Sequence, residues 1–494
     1  MSLASVPMLS KSLFLAGLHC PLYLWYQCYN RDLASEVSPS QQAIFDMGHE
    51  VGRLATHLYP GGVLIEEDHL RHKEAVQSTL SAMKDPDVAA IYEAAFISDG
   101  VRIRVDILER LNNGEWNLIE VKSATSVKDL YLPDVAVQYH VLRGSGLDIN
   151  SVGILHLNNQ YVYDGSQLDL KGLFTFSDLT EEVLDLQSKI PSQLTELKEM
   201  LAQTAPPEIY PSKGCNNPYK CEFWEHCTAE MPDYWVMRFR GISQTKFSQL
   251  VEMGIEDISN VPDSFPLSAL QSRIRACVAN REEYIDPELL DELMDVEYPI
   301  HFLDFETMGT AIPRYAGTRP YQTIPFQWSD HILHRDATLE HREYLCDEDK
   351  DPREVFASTL IESLGENGTI FIYTTYEKGV LNGVIEHLPQ YQEQLLAIID
   401  RFKDLHAVIR RCFYHPEFQS SFSLKSVLPA ILPDMSYEAL SIQEGSQASV
   451  EYFRMLDPST SPEEREKIKK DLLDYCGHDT LAMVRIREEL ISRF

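Results

Sequence analysis

Hydrophobic and polar residues alternate along two neighbouring stretches in the first third of the chain, "VRIRVDIL" and "EWNLIEVKS". Side chains of a β-strand point to opposite faces at every second residue, so each stretch predicts a strand. The polar segment "NNGE" lies between them, which is typical of a β-hairpin. Asp106 ends the first strand, and Glu120 and Lys122 lie two residues apart on the second, so these two are expected on one face.

Helical and extended patterns alternate around this hairpin. The segment "FDMGHEVGRLATHL" predicts a helix that carries His49, and "IYEAAFISDG" predicts a strand that contains Glu93. The segment "DVAVQYHVLRGSGL" predicts a helix with Gln138 and Tyr139. Alternating helices and strands indicate an α/β domain.

A new strand-rich region begins at "YPIHFLDFET" and runs to the end of the chain. Asp304 and Glu306 lie two residues apart in this apolar strand and are expected on one face. Near the end, "LLDYCGHDTLAM" predicts a helix on which Tyr475 and Asp479, four residues apart, share a face. Short amphipathic helices such as that in "KFSQLVEMGIEDISNVP" precede this region.

The length of 494 residues exceeds what one hydrophobic core accommodates, so two or three domains are expected. The patterns predict an α/β protein in three parts. They are a mixed domain over residues 1–230, a helical connector over 231–297 and a second mixed domain over 298–494.

Charge limits how this chain can meet a nucleic acid. It has 43 Lys and Arg against 76 Asp and Glu, a formal net charge of −33. Phosphate neutralisation needs local Lys and Arg, so this balance argues against capture of nucleic acid by the whole surface. It leaves room for a metal-dependent nuclease, which gathers carboxylates at its active site and needs only a local basic track.

The apolar run at the amino terminus is interrupted by Gly17, His19 and Pro21, so it predicts neither a signal peptide nor a membrane span. No other stretch reaches membrane length. We therefore expect a cytoplasmic protein without membrane contact, in which the nine cysteines stay reduced.

Three of the nine cysteines lie in "GCNNPYKCEFWEHC" and are separated by two steps of six residues: Cys215, Cys221 and Cys227. Grouped cysteines in a reducing compartment indicate a metal site, which usually takes four ligands. Zinc is one candidate, although its cysteine pairs usually lie two to four residues apart. Four scattered cysteines are expected to be small buried hydrophobic residues: Cys277, Cys346, Cys412 and Cys476.

The hairpin residues Asp106, Glu120 and Lys122 have the chemistry of a metal-dependent hydrolase. Two carboxylates can hold Mg²⁺ or Mn²⁺, while a lysine beside them positions water or stabilises charge on a phosphate. The alternative is an exposed hairpin that carries an ordinary salt bridge.

The order of five residues resembles the RecB-type branch of the PD-(D/E)XK nucleases: His49, Glu93, Asp106, Glu120 and Lys122. Gln138 resembles the glutamine of that branch's following helix, with Tyr139 beside it, whereas Leu142 stands where a tyrosine is usual. The resemblance implies a restriction-endonuclease-like fold in which the first four residues bind Mg²⁺ or Mn²⁺. Lys122 would then assist the attacking water, with Gln138 as a further active-site residue.

The iron-sulfur members of this branch include AddB-type helicase-nucleases and CRISPR-associated RecB-like exonucleases. They have one cysteine before the nuclease core and three after it. Here Cys20, in "GLHCPLYLWYQC", precedes the core, and Cys28 is an alternative to it. The resemblance implies a 4Fe-4S cluster that joins the two ends of the domain, bound by Cys20, Cys215, Cys221 and Cys227.

The carboxyl-terminal residues Asp304, Glu306, Tyr475 and Asp479 resemble the DEDD 3′-5′ exonucleases of the ribonuclease-H-like fold, in the variety with tyrosine. The variety with histidine has His five residues before the last acid, where this chain has Asp474. An Asp-x-Glu pair with a third and fourth acid binds two cations for phosphodiester cleavage.

The middle acid of this set departs from the family pattern. The segment "IFIYTTYEKGVL" resembles the second exonuclease motif, with Glu377 where Asp is usual, and Asp404 is the competing candidate. Lys425, in "FSLKSVLP", either faces a phosphate or is a solvated surface lysine.

The order of the three parts resembles a bacterial family of two-part proteins whose role is uncharacterised and whose signatures include "HFLDFET", "YEKGVL", "RFKDL" and "SLKSVLP". This resemblance implies the architecture, and the two site resemblances together imply a metal-dependent DNA nuclease with two active sites, in repair or defence. The expected partner is DNA, single strands ahead of duplex, or RNA. The alternatives are a nucleic-acid-binding scaffold with decayed sites and an RNA-processing exonuclease.

Overall fold

The chain folds into two sets of helices and strands, and each set contains its own central sheet. A computed structural model describes residues 6–217 and 219–494. The chain divides into two compact units: unit 1 contains residues 1–229 and 310–322, and unit 2 contains residues 230–309 and 323–494. The short helices expected to form a connector over 231–297 belong to unit 2.

Unit 1 is a mixed α/β fold around a seven-stranded sheet. Its elements in chain order are β1 (Leu9–Ser10), α1 (Lys11–His19), α2 (Pro21–Tyr29), α3 (Pro39–Thr56), β2 (Gly62–Leu64), α4 (His72–Lys84), β3 (Ala90–Ser98), β4 (Val101–Arg110), β5 (Trp116–Lys122), α5 (Leu132–Gly144), β6 (Ile149–Leu157), α6 (Leu170–Leu173), β7 (Phe174–Asp178), α7 (Thr180–Leu186), α8 (Ile190–Leu201) and α9 (Trp224–Thr228).

The strand order of this sheet is β2-β3-β4-β5-β6-β7, with the short β1 paired to β4. The predicted hairpin is confirmed, since β4 and β5 pair antiparallel with Ile107 opposite Ile119. β5 then pairs in parallel with β6, and α5 makes the crossover between them. Every second side chain at the start of β4 is buried, as the alternation predicted, because one face of the sheet forms the hydrophobic core.

Helices α1, α5 and α8 pack together in the main core of unit 1. Gly17 allows the close approach of α1, because a Cβ atom at this position would lie 2.7 Å from the Leu197 side chain of α8. The helix α5 is buried along most of its length and contacts four strands of the sheet, so it is fixed against the sheet. This packing holds both α1 and α5 next to the strands that carry the candidate site.

Unit 2 contains a second mixed sheet, of five strands. Its elements in chain order are α10 (Gln244–Glu252), α11 (Ala269–Asn280), β8 (Tyr284–Ile285), α12 (Leu289–Met294), β9 (Ile300–Met308), β10 (Ile324–Leu333), β11 (Leu339–Leu345), α13 (Arg353–Leu364), β12 (Ile370–Ile372), α14 (Tyr376–His387), α15 (Gln392–Asp400), β13 (Phe402–Asp404), α16 (Leu405–Cys412), β14 (Phe413–Tyr414), α17 (Leu424–Ile431), α18 (Gly445–Leu456) and α19 (Pro462–Ser492).

The sheet order is β11-β10-β9-β12-β13, and β8 pairs with β14 separately. The central strand β9 is antiparallel to β10 and parallel to β12. Leu303 and Phe305 on one face of β9 enter the core beneath α13 and α14, so the residues between and after them point the other way. The 31-residue helix α19 packs against β9 and β10.

None of the helices in the described part of the chain combines the length and the apolar character needed to cross a lipid bilayer.

Candidate functional site

A cleft of about 1710 Å³ in unit 1 brings together five residues that the sequence predicted. Three adjacent strands supply the charged groups, since Glu93 lies on β3, Asp106 on β4, and Glu120 and Lys122 on β5. His49 lines the same cleft from the exposed side of α3. Residues far apart in sequence therefore converge because their strands are neighbours in the sheet.

Glu120 is almost completely buried and is held by three side chains. Its Oε1 accepts hydrogen bonds from Lys11 Nζ at 2.8 Å and from Lys122 Nζ at 2.7 Å, and its Oε2 accepts one from Gln138 Nε2 at 2.7 Å. Burial alone would raise the pKa of Glu120. The charges of Lys11 and Lys122 outweigh burial and hold that pKa well below its usual value, so Glu120 stays ionised.

Asp106 and Glu93 face one another across β3 and β4. Asp106 Oδ2 accepts a hydrogen bond from the Val121 N–H at 2.7 Å, and burial, followed by the charge of Glu120, raises the pKa of Asp106 to about 7. Glu93 has a left-handed backbone with φ of 56°, which costs about 1–2 kcal/mol for a residue with a side chain. Its carboxylate lies 3.4 Å from Arg104 Nε. Strain within a strand at this position is typical of a functional site.

Two charged side chains of this centre were not predicted from the sequence, Lys11 on α1 and Asp134 on α5. Asp134 Oδ2 accepts from Lys122 Nζ at 2.6 Å, and its Oδ1 accepts from Gln138 Nε2 at 2.9 Å. The spacing of four residues between Asp134 and Gln138 could have indicated Asp134, because it places both on one helix face. No local pattern indicated Lys11. Tyr139, which the sequence left without a role, packs against the hydrophobic core.

The donor set of unit 1 suits Mg²⁺ or Mn²⁺, which prefer carboxylate oxygens. Its atoms are not as close as those of unit 2, however. In the described chain, the one group of three or more His, Cys, Asp or Glu ligand atoms that all lie within 4.8 Å of one another belongs to unit 2. In unit 1, Lys11 and Lys122 both donate hydrogen bonds to Glu120 Oε1, an oxygen that would otherwise be available to a cation.

Four cysteines of unit 1 line one small pocket of about 20 Å³. Cys20 lies between α1 and α2, whereas Cys215, Cys221 and Cys227 follow α8. The Cys221 N–H donates to the Cys215 carbonyl at 2.7 Å and folds the loop around the pocket. Cys28, the alternative to Cys20, instead packs against the hydrophobic core. The structure therefore groups Cys20 with the three later cysteines.

Two kinds of metal site differ in the spacing of their thiolates. Four thiolates around one zinc, each about 2.3 Å from the metal, lie about 3.8 Å apart. No three of the four sulfurs lie within 4.8 Å of one another. In a 4Fe-4S cluster each thiolate binds a different iron, so the sulfurs lie farther apart. Burial, followed by the charges of Cys221 and Cys215, raises the pKa of Cys227 to about 11, so a bound cation would be needed to keep Cys227 as a thiolate at neutral pH.

The close carboxylate group of unit 2 consists of Asp304, Glu306 and Asp479. Asp304 and Glu306 are on the face of β9 opposite the core, as predicted, and Asp479 reaches them from α19. Tyr475 lies one turn before Asp479 and is buried. The predicted strand and helix are confirmed, and packing of α19 on β9 unites residues that lie more than 170 positions apart in the sequence.

Glu377 and Asp404 were the two candidates for the fourth acid. Glu377, in the first turn of α14, is 2 % exposed, shares a hydrogen bond with Asp304 and has an Oε2 atom with no partner among the described residues. Burial, with a smaller contribution from Asp404, raises the pKa of Glu377 to about 8. Asp404 instead caps α16, where its Oδ1 accepts from the Ala407 N–H at 2.9 Å. The geometry therefore favours Glu377 as a ligand.

Tyr437 and Lys425 complete this group, and only Lys425 had been noted in the sequence. The Tyr437 hydroxyl donates to Asp479 Oδ1. Lys425 Nζ lies 5.7 Å from the ring centres of both Tyr437 and Tyr475, so it faces the carboxylates although its side chain is exposed. Tyr437 lies in no motif, and nothing in the sequence pattern indicated it.

The carboxylates of unit 2 repel one another. Burial, followed by the charges of Asp479 and Glu306, raises the pKa of Asp304 well above its usual value, and burial and Asp479 do the same for the pKa of Glu306. Burial also raises the pKa of Asp479 to about 6, although Tyr437 and Lys425 oppose the shift. The group holds more negative charge than its neighbours compensate, which is the electrostatic condition for binding a divalent cation.

Cys476, beside Tyr475 on α19, is fully buried and its Sγ lies 3.6 Å from Asp304 Oδ2. The other three scattered cysteines are buried as well, as predicted: Cys277, Cys346 and Cys412.

Residues 301–423 match the model of a family described as a domain of unknown function, DUF2779, over about a quarter of the chain. The match includes Asp304, Glu306, Glu377 and Asp404, and it ends before Asp479. No curated protein matches the chain significantly. The family description names no activity, so it assigns no chemistry to these carboxylates.

The cysteine pocket generates a first prediction. If the four thiols that line this pocket bind a 4Fe-4S cluster, anaerobically purified protein should be brown and contain about four irons per chain. Cys215→Ser should lose most of the colour and iron, whereas Cys28→Ser should keep both, since Cys28 packs in the core. Iron analysis and visible absorbance measure this. One zinc per chain without iron in the wild-type protein would contradict the assignment.

The repulsion in unit 2 generates a second prediction. Raised pKa values mean that the folded chain binds more protons than the unfolded chain between the usual carboxyl values near pH 4 and the pKa of Glu377 at about 8. The free energy of unfolding of the metal-free protein should therefore fall as the pH rises through this window. In EDTA at pH 8, Asp304→Asn should be more stable than the wild type by about 1–3 kcal/mol.

Denaturant unfolding followed by circular dichroism at pH 5 and pH 8 measures this difference. The exposed residue Asp434 provides the control, since Asp434→Asn should leave the pH dependence unchanged. Added Mn²⁺ should stabilise the wild type more than Asp304→Asn, because binding to the folded state raises its stability. Equal stability of Asp304→Asn and wild type at pH 8 would show that the carboxylates are not under electrostatic strain.

Proposed function

We propose that this protein is a metal-dependent nuclease with two chemically different centres, one in each unit. The observation that carries the proposal is the carboxylate group of unit 2. Asp304, Glu306 and Asp479 approach one another within 4.8 Å, with Glu377 buried beneath them and Tyr475 beside them. Such a set, with no salt bridge to a basic group among the described residues, is suited to a pair of cations that cleave phosphodiesters.

In unit 2 the four acids would hold two Mg²⁺ or Mn²⁺ ions. Such ions lower the pKa of water and neutralise charge on the phosphate. Tyr475 would orient the attacking water by a hydrogen bond from its hydroxyl. Water then forms a new bond to phosphorus as the bond to the 3′ oxygen breaks, and the leaving oxygen takes a proton. Lys425, held over the rings of Tyr437 and Tyr475, would receive a phosphate of the same strand.

In unit 1, Asp106 and Glu120 would hold the cation with Glu93 and His49 at the mouth of the cleft. Lys122 lines the cleft and would donate to an oxygen of the scissile phosphate. Gln138 keeps Glu120 in place from behind, since it is fully buried and donates to Glu120 Oε2. This arrangement supports the restriction-endonuclease-like interpretation of the first domain.

The lining of the unit 1 cleft supports single-stranded nucleic acid as the substrate. The cleft exceeds the roughly 300–1,000 Å³ of common small-molecule pockets. Phe45, on α3, is 45 % exposed within it, and open space surrounds Gly48 and Gly52 on the same helix. Exposed aromatic rings stack on unpaired bases, and glycines allow a nucleic-acid backbone to come close.

The lining of the same cleft has equal numbers of acidic and basic residues, although the chain as a whole is acidic. Arg31 and Arg53 line it, both are exposed, and neither forms an ion pair with another described residue. Free arginines beside an exposed aromatic ring are the combination that binds the phosphates and bases of a single strand. These two arginines supply local positive charge for a phosphate backbone, which the net charge of −33 for the whole chain does not exclude.

The two centres generate a third prediction, which separates them. With Mn²⁺ and a labelled single strand, Asp304→Ala with Glu306→Ala should abolish stepwise release of 3′ nucleotides and leave cleavage by unit 1. Lys122→Ala should have the converse effect, with a loss of about a hundredfold or more in rate, because it removes a charge beside the phosphate. The two centres use different residues on different units, so the triple variant should lose both activities.

Single- and double-stranded DNA and RNA, each with Mn²⁺, Mg²⁺ or EDTA, give the full assay. Glu377→Gln should match the Asp304 variant, whereas Asp404→Asn should stay active, because Asn also caps a helix. If neither the wild type nor the triple variant cleaves any of these substrates, the protein is a binding scaffold and not a nuclease. If the triple variant cleaves like the wild type, neither centre is the source of the activity. Activity on RNA alone would instead favour the RNA-processing alternative.

The cleft generates a fourth prediction. In EDTA, Phe45→Ala should weaken binding of a single strand about tenfold and barely change binding of a duplex, because only unpaired bases can stack on the ring. Arg53→Ala should weaken single-strand binding and lower the slope of log affinity against log salt by about 0.7. Fluorescence anisotropy of labelled oligonucleotides measures both.

Phe176 on β7 provides the matched control, since it is 40 % exposed and lies outside the cleft. Phe176→Ala should bind single strands like the wild type. Equal losses in Phe45→Ala and Phe176→Ala would remove the cleft as the binding site.

A further inference from the structure

Lys11 reaches the carboxylates of unit 1 because it is the first residue of α1, directly after the strand β1. β1 pairs with the start of β4. α1 begins at the next residue, Lys11, and the side chain of Ser10 caps this helix. The ammonium group thereby reaches β5 from an element more than 100 residues away in the sequence. The other end of α1 adjoins Cys20 in the cysteine pocket.

Two lysines and two carboxylates form a closed network there. Lys122 Nζ lies 2.7 Å from Glu120 and 2.6 Å from Asp134. Lys11 Nζ lies 2.8 Å from Glu120 and 3.3 Å from Asp134. Each lysine thus bridges the same two carboxylates, and the four formal charges sum to zero.

The two lysines differ in what else they face. Lys122 lines the cleft, whereas Lys11 is not among the residues that line it. The carboxylates are nearly inaccessible, with side chains 3 % exposed at Glu120 and 6 % at Asp134. Buried carboxylates without a cation are strongly unfavourable, so Lys122 could not leave them for a phosphate unless another cation stayed behind.

We propose that Lys11 is a positioning residue of the unit 1 centre, which neutralises Glu120 and Asp134 so that Lys122 is free to move to a phosphate oxygen of the substrate. The inference rests on the proposed function for its consequence in catalysis. The division of labour between the lysines is a property of the metal-free protein and can be tested without any cleavage.

The test measures how firmly Lys122 is held. Metal-free full-length protein is acylated briefly with an amine-reactive ester, and the modification of Lys122 is followed by mass spectrometry. Lys11→Met keeps an unbranched side chain one atom shorter and removes its charge, so Lys122 becomes the one ammonium group on both carboxylates among the described residues. Its acylation should slow about threefold to tenfold, the effect of firmer hydrogen bonding.

A second variant, expected to change the acylation rate of Lys122 in the opposite direction, controls for a folding defect. Asp134→Asn removes one carboxylate from Lys122 and should speed its acylation by a similar factor. Lys11→Arg keeps the charge and should match the wild type. Lys198 on α8, which contacts the Asp99 carbonyl, is the control, since Lys198→Met should not change Lys122.

Catalysis gives a separate readout. If unit 1 cleaves single strands, Lys11→Met should lower kcat about tenfold or more with little change in KM, and Lys11→Arg should restore it. Unchanged or faster acylation of Lys122 in Lys11→Met, or unchanged acylation in Asp134→Asn, would overturn the positioning role. Slower acylation in Lys11→Met with no cleavage by the wild type would leave the role of Lys11 intact and remove the proposed activity.

Discussion

Buried carboxylates govern the chemistry of both units. A carboxylate removed from water is unfavourable by several kcal/mol unless a cation or hydrogen-bond donors replace its hydration. Unit 1 meets this requirement internally, because Lys11 and Lys122 balance Glu120 and Asp134. Among the described residues, no basic group is in contact with Asp304 and its neighbouring acids in unit 2, and the pKa values rise in response. The buried pair Glu120 and Asp134 is therefore neutralised by lysines, whereas the acids of unit 2 are not.

This difference has consequences for how each centre would respond to a divalent ion. In unit 2 a bound ion would relieve repulsion and stabilise the fold. In unit 1 an ion would have to compete with two ammonium groups that already donate to Glu120 Oε1, so binding would require a rearrangement of side chains. Both centres contain buried carboxylates, and the contrast between them follows from the lysines around those carboxylates.

Helix α1 connects two features of unit 1 that are chemically unrelated. Its first residue, Lys11, contacts the carboxylates, and the residue after its last turn, Cys20, lies in the cysteine pocket. Gly17 lets the helix approach α8 closely between these two points. The arrangement of the cysteine pocket and the position of Lys11 thus depend on the same nine-residue helix, α1.

Alternation and helical spacing in the sequence determined the hairpin of β4 and β5, the strand of Asp304 and the helix of Tyr475, because side-chain periodicity is a local property. The sequence could also identify which acids and cysteines had suitable chemistry. Only tertiary structure decided which of them meet. It placed Cys20 with the later cysteines. It buried Glu377 beside Asp304, whereas Asp404 caps a helix. It also brought Lys11 and Tyr437 to carboxylates with which they share no motif. Such contacts arise from packing between elements far apart in the chain, which no local pattern encodes.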